Sequence, residues 1–183
     1  TLARVIDAKD SYTGDHAERA RQKAKRLAQE LHVPAKMLRY VEYAALLHDI
    51  GKIGVDGAIL SKPGKLTPEE YDEIKKHPAI GYQILSPIHF LGPVSQMVLY
   101  HQEWFNGMGY PEGLKGEEIP LGARIVATID AWDAMRSDRP YRKALSVDIA
   151  EDQLVKGSGK QFDPDVVKAF LKLEKEGWPP AAK

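Results

Sequence analysis

The chain contains no cysteine. Disulfides are therefore excluded, and so are thiolate metal sites and iron–sulfur clusters. Any metal must be held by His, Asp and Glu. Neither sign of charge is in excess, since Lys+Arg and Asp+Glu number 26 each. A balanced chain lacks the general field of a DNA or RNA binder, although a local basic pocket for a small anion stays open. No apolar run approaches the length of a membrane span and no signal peptide is visible, which predicts a cytoplasmic chain without a membrane segment. There is no low-complexity stretch and no internal repeat. The first residue is Thr and not Met, which fits a fragment cropped from behind an upstream domain. What is present, 43% hydrophobic and 28% charged residues over 183 positions, suits one domain spanning 1–183 with a sizeable core.

Helical periodicity runs through most of the chain. Leu2, Val5 and Ile6 read as the end of an earlier helix, and the turn-rich stretch 10–15 as a cap for the next. That helix is expected from about Asp15 to Leu31. Ala20, Ala24, Leu27 and Leu31 form its apolar stripe, and His16 falls on the same inward face. Arg19, Lys23, Arg26 and Gln29/Glu30 read as its solvated outer face. A second helix starts at Val33-Pro34 and places Met37, Val41, Ala44/Ala45 and His48 on one face. His48 and Asp49 then sit at its buried C-terminal end, with Gly51 placed to stop it. After a loop from about Ile53 to Leu66, Thr67-Pro68-Glu69-Glu70 has the spacing of a capping box. Tyr71, Ile74 and His77 follow at i, i+3 and i+6, so His77 is expected to end that third helix facing inward, with Pro78 as the break.

Phe90, Val94, Met97/Val98 and His101 line a fourth helix. The segment from Glu103 to Pro120, rich in Gly and Pro, reads as a loop long enough to be functional. A fifth helix, about Gly122 to Arg136, is largely apolar yet carries Asp130 and Asp133 three apart, and a carboxylate in such a run needs a partner. Helices at about 147–156 and 164–176 read as packing elements, with Trp178-Pro179-Pro180 ending the fold.

One inward histidine is ordinarily a satisfied core residue, and His48 beside Asp49 would pass as a structural pair. His16, His48, Asp49, His77, His101 and Asp130 come from five helices, each on or at the end of an apolar face. As neutral packing, each would need its own partner. Metal ions satisfy all of them at once. Six ligands are too many for one ion with open positions, and they suit two, between which a bridging water becomes a hydroxide nucleophile near neutral pH. Asp49, with two oxygens, is able to bridge. Lys52 is within a few residues of the pair and in range of a phosphate oxygen. Arg139, Arg142 and Lys143 concentrate charge on a turn, either for phosphates or as a solvated helix end. Tyr110 either meets a nucleotide or fills core under its loop. Asp133 orients a ligand or the substrate, or caps the Arg139 turn.

These residues resemble the HD-GYP family, a branch of the HD phosphohydrolases. The likeness runs from about Asp7 to Leu173. It rests on His48-Asp49-Ile50-Gly51-Lys52-Ile53-Gly54, Lys62-Pro63-Gly64-Lys65-Leu66-Thr67, His77, Gly107-Met108-Gly109-Tyr110-Pro111-Glu112-Gly113-Leu114, Ile119-Pro120-Leu121, Asp138-Arg139-Pro140-Tyr141-Arg142-Lys143 and Gln161-Phe162-Asp163-Pro164. It implies an all-α HD-domain bundle of roughly seven helices with a long GYP loop. It also implies a metal-dependent phosphodiesterase that opens cyclic di-GMP, or a related 3′,3′-cyclic dinucleotide such as cyclic GMP-AMP, to the linear dinucleotide and on to GMP. The metal ligands implied are His16, His48, Asp49, His77, His101 and Asp130, with Asp49 bridging two divalent ions, Fe or Mn first and Ni, Zn or Mg as alternatives. Lys52, Arg139 and Arg142 would contact phosphates, and Tyr110 and Asp133 would position substrate. His48, Asp49 and Lys52 form the catalytic group. The partners implied are an upstream sensor or receiver domain and a diguanylate cyclase domain.

Three positions depart from the family pattern. Gln102 stands where a second His is usual, Asn106 where an Asp precedes the Gly-x-Gly-Tyr-Pro run, and Tyr12 where three-metal members carry Glu. The expectation is a two-metal site whose second ion is held more weakly, with Gln102 as a weak ligand. The alternative is a degenerate module that binds the dinucleotide or a partner protein with little turnover.

Overall fold

Ala20, Ala24 and Leu27 are all but inaccessible, and the helix that carries them is α1, His16–Glu30. The structure is a computed structural model describing residues 16–138 and 143–178. The readings at 1–15, at Arg139, Pro140, Tyr141 and Arg142, and at 179–183 lie outside the described residues. A tight turn at His32, with φ of +54°, leads into α2, Ala35–Leu47. A 3-10 turn, Ile50–Gly54, follows directly. Next come the one-turn α3, Gly57–Leu60, α4, Pro68–Ile74, α5, His77–Leu85, and α6, Gly92–Tyr100. The GYP loop then leads to α7, Leu121–Arg136, followed by α8, Val147–Gly157, and α9, Pro164–Lys175. Among the described residues there is no β-sheet, only the isolated bridges Asn106–Lys115 and Ser158–Phe162.

Helix α7 is the hub, packing against α1, α2, α6, α8 and α9. Its apolar run supplies Ile125, Val126, Ile129 and Trp132 to a core shared with Leu27, Val41, Val98, Leu154 and Phe170. The capping box at Thr67 forms as expected: Thr67 accepts from Glu70 N, and Glu70 accepts from Thr67 N.

Four expectations need correction. His77 does not end the third helix but opens a separate one, α5, with Pro78 at its first turn, where the missing N–H costs nothing. Tyr71 points outward, 49% exposed, because α4 is too short and peripheral to bury a stripe. Phe90 belongs to the 3-10 turn His89–Leu91 before α6 and is 66% exposed. Gly51 does not stop α2, since His48 still has helical dihedrals and Gly51 lies inside the 3-10 turn.

Candidate metal centre

The candidate ligands converge because five helices present their ends or middles to one point. His16 is the first described residue of α1, His48 follows the last residue of α2, His77 opens α5, His101 follows the last residue of α6, and Asp130 projects from the middle of α7. His48, His77 and His101 are each at most 2% exposed.

Three of the histidines are fixed by the same device. Nδ1 of His48 donates to Ala45 O at 2.8 Å, that of His77 to Ile74 O at 2.7 Å, and that of His101 to Val98 O at 2.7 Å. Each acceptor is a carbonyl of the last turn of a helix, a group left without a partner by the helix itself. A carbonyl only accepts, so Nδ1 carries the proton and Nε2 is the nitrogen turned to the centre. The fourth, His16, has Nδ1 3.1 Å from Asp133 Oδ2. Donation of one ring N–H to a carbonyl or carboxylate while the other nitrogen faces a cation is the arrangement of metal-ligating histidines.

Asp49 lies between them with its oxygens divided. Oδ2 is 3.5 Å from His48 Nε2, and Oδ1 is 3.6 Å from His77 Nε2. Two three-ligand groups result, His16/His48/Asp49 and Asp49/His77/His101, with Asp49 common to both. Asp130 is in neither triad, but its Oδ1 is 3.6 Å from His48 Nε2, on the first side. His77 Nε2 and His101 Nε2 face each other at 3.2 Å.

This donor set fits a metal. His48 Nε2 is fully buried without a hydrogen-bond partner, and two nitrogens whose protons sit on Nδ1 would otherwise turn lone pairs toward each other. Burial pushes the His48 imidazole down, but Asp49 and Asp130 outweigh it and raise it to about 9. Burial lowers His77, and burial together with His77 and His48 lowers His101 to about 3. Burial would raise Asp49, yet Lys52, His48 and His77 hold it well below the usual carboxylate range. Opposite charge thus favours a proton on His48 and the ionised form of Asp49.

Gly51 and Gly109 allow two close approaches. A Cβ on Gly51 would fall 1.8 Å from His77 O, so only glycine lets the 3-10 turn lie on α5 and bring Asp49 to His77. A Cβ on Gly109 would fall 2.2 Å from Trp104 N. The GYP loop thus lies flat on residues 102–104, with Tyr110 N donating to Gln102 O at 3.2 Å. Glu103, which periodicity does not single out, is 3% exposed and accepts from Glu112 N at 2.7 Å and Gly113 N at 2.9 Å. A charged residue inside a Gly/Pro-rich loop segment was its only sequence signal. Burial, with charge at Tyr71, Asp130 and Asp49, pushes the Tyr110 phenol up.

The remaining sequence candidates separate. Lys52 Nζ is 2.8 Å from Asp49 Oδ2. Asn106 Oδ1 accepts from Met108 N at 3.0 Å, a side-chain turn that an Asp would form equally well. Asp133 stands behind His16 and 5% exposed. Lys23 is not on a solvated face, as the charge run suggested. Its ammonium turns inward to Asp133, 3.7 Å away, and to the rings of α7 and α9, because the aliphatic stem covers apolar surface between those helices. Arg139 and Arg142 lie outside the described residues.

A family profile described as HD domain matches residues 1–166. The chain belongs to the HD domain family. It is 45% identical over 179 residues to a cyclic di-GMP phosphodiesterase of Thermotoga maritima, a match covering 96% of this chain and 48% of that protein. It is 43% identical over 173 residues to the cyclic di-GMP phosphodiesterase response regulator RpfG of Xanthomonas campestris pv. campestris, covering 93% of this chain and 46% of that protein. The chain therefore spans about half the length of these curated relatives. Among solved structures, a cyclic GMP-AMP specific phosphodiesterase of Vibrio cholerae superposes with a TM-score of 0.76 over 95% of this chain and 47% of that one, at 19% identity, which establishes the shared all-helical fold. The likeness to the HD-GYP branch read from the motifs thus agrees with both the relatives and the fold. No helix among the described residues is long and apolar enough to cross a membrane.

Proposed function

We propose that this HD domain is a metal-dependent phosphodiesterase that opens a 3′,3′-cyclic dinucleotide, cyclic di-GMP first, to the linear dinucleotide. The observation that carries the proposal is the division of Asp49 between two histidine groups, Oδ2 toward His48 and Oδ1 toward His77. The naming of the relatives as cyclic di-GMP phosphodiesterases supports the substrate class. His16, His48, Asp49 and Asp130 would hold one divalent ion, and Asp49, His77 and His101 the other. Fe and Mn suit this nitrogen and oxygen set, with Ni, Zn and Mg as alternatives. When bound, such ions supply an activated water and neutralise charge developing on phosphate.

The chain's own groups have separable tasks. The Nδ1 hydrogen bonds of His48, His77 and His101 keep a proton on Nδ1 and turn Nε2 toward the centre. Lys52 steadies Asp49, and its positive charge is assigned to a phosphate oxygen of the substrate. Tyr110, carried on a loop pinned by Glu103, closes one side and positions the sugar or base. Arg139 and Arg142 are assigned to phosphates and Asp133 to orienting His16. An upstream sensor or receiver domain, and contact with a diguanylate cyclase domain, complete the proposal.

The test is direct. Protein prepared anaerobically and loaded with Mn or Fe should convert cyclic di-GMP to the linear dinucleotide on chromatography. No product with Fe, Mn, Ni or Mg overturns it. Gln102 favours a second reading, a module that binds without turnover. Both triads form from His and Asp without it, which supports activity. Gln102→His should then raise occupancy and rate together, whereas binding with turnover still absent would favour the module.

A further inference from the structure

Asp133 is a carboxylate buried to 5% exposure behind His16, with Oδ2 on the His16 Nδ1 proton at 3.1 Å. Two cations face it from the same side of α1, Arg19 Nε at 3.9 Å and Lys23 Nζ at 3.7 Å. Arg19 has a side chain 45% exposed, so water screens its charge. The Lys23 side chain is 23% exposed, and withdrawing an ammonium from water is costly unless other groups replace the hydration. Burial does lower its pKa.

The replacement is an aromatic box. The ammonium lies 5.5 Å from the centroid of Trp132, 5.9 Å from Phe170 and 5.3 Å from Trp178, each within the range of cation–π attraction. The rings support one another: Trp132 and Phe170 have centroids 5.0 Å apart, Phe170 and Trp178 5.1 Å. Trp178 closes the box from beyond the end of α9. Its main-chain N donates to Leu173 O at 2.9 Å, its indole N–H donates to Glu174, and Gly177 at φ +75° turns the chain back. A continuous set of contacts therefore runs from Trp178 through Lys23 and Asp133 to His16.

Resting on the two-metal reading above, we propose that Lys23 is a positioning residue for the His16 side of the metal centre and that Trp178, by closing the box around it, sets how tightly that side holds its ion. Lys23 keeps the Asp133 carboxylate facing inward, and Asp133 in turn fixes which His16 nitrogen carries the proton and where the ring points. Without the ammonium, the carboxylate turns toward Arg19 and solvent, and its contact with His16 Nδ1 loosens. The His77/His101 side has its own carbonyl anchors and is unaffected.

The test uses the 183-residue chain loaded with Mn, with metal counted by elemental analysis and release followed against a chelator. Wild type should hold two ions. Lys23→Met, which keeps the apolar stem, should release one of them at a chelator concentration roughly 10- to 100-fold lower, the effect usual for an outer partner of a ligating histidine. Trp178→Ala should act in the same direction, and Lys23→Arg should restore most of the retention. Leu154→Ala, in the core on α8 and away from these contacts, should lower the melting temperature without changing the chelator midpoint. Should Lys23→Met fail to fold, Trp178→Ala against Leu154→Ala carries the same comparison. Two ions held equally well by wild type, Lys23→Met and Trp178→Ala overturn this coupling alone, as does equal loss in Leu154→Ala. A wild-type protein that holds no metal overturns the two-metal reading and this inference with it.

Discussion

Gly51 lies directly against the main chain of His77: a methyl group in place of its hydrogen would meet the His77 carbonyl oxygen at 1.8 Å and Gly81 N at 2.6 Å. Both obstacles are backbone, so no side-chain rotation relieves them. Gly51→Ala should therefore push the 3-10 turn off α5 and separate Asp49 from His77. The expected destabilisation is roughly 2–4 kcal/mol, as for an overpacked close approach. Metal should be lost from the His77/His101 side first. A thermal melt together with elemental analysis checks both parts, and an unchanged ion count would show that this approach does not position the ligands.

The divided carboxylate of Asp49 makes an unequal prediction for the ligands. His101 belongs to one triad and Asp49 to both. His101→Ala should leave about one ion per chain, whereas Asp49→Ala should leave almost none. Elemental analysis after dialysis distinguishes them. Equal loss from both variants would argue for a single site.

Metal binding should be coupled to proton release at His48. Its folded pKa is raised to about 9 by Asp49 and Asp130 against the effect of burial, so between the ordinary value near 6.5 and about 9 the metal-free protein holds a proton that the unfolded chain lacks. The stability this gives is fully present below the ordinary value and fades as pH rises through about 9. A cation must displace the same proton. Below pH 9, apparent affinity should thus fall by roughly tenfold for each unit of added acidity, with about one proton released per chain from this group at pH 8. His101, lowered to about 3, contributes no proton in that range. Titration calorimetry in buffers of different ionisation enthalpy reads the proton count, and a pH-independent affinity between 7 and 9 would contradict it.

Glu103 anchors the GYP loop and does not touch the ligand cluster. Glu103→Ala removes the acceptor of the Glu112 and Gly113 N–H groups, at a cost of roughly 0.5–1.5 kcal/mol each, because both residues are exposed and water can take its place. The loop carrying Tyr110 should loosen, raising KM for the dinucleotide while the metal content is unchanged. Loss of metal instead would place Glu103 in the cation site.

The sequence by itself determined which side chains were candidates and, for His16, His48 and Asp130, the helix that carries each or ends at it. Absence of cysteine left His, Asp and Glu as ligands, and the 3.6-residue period put Ala20, Ala24 and Leu27, or Val94, Met97 and Val98, on faces that the fold buries. That information is local, because periodicity and caps act within a turn or two of the chain. Tertiary structure alone decided the rest. Whether His77 closes α4 or opens α5 depends on Gly51 packing beneath it, 26 positions earlier. Which oxygen of Asp49 faces which histidine depends on where the 3-10 turn after α2 meets α5. Lys23 looked like one more charge on an outer face, yet its stem and ammonium are drawn in by Trp132, Phe170 and Trp178 from two other segments. Burial of a long amphipathic side chain is settled by what its neighbours in space offer, and no spacing along α1 carries that information.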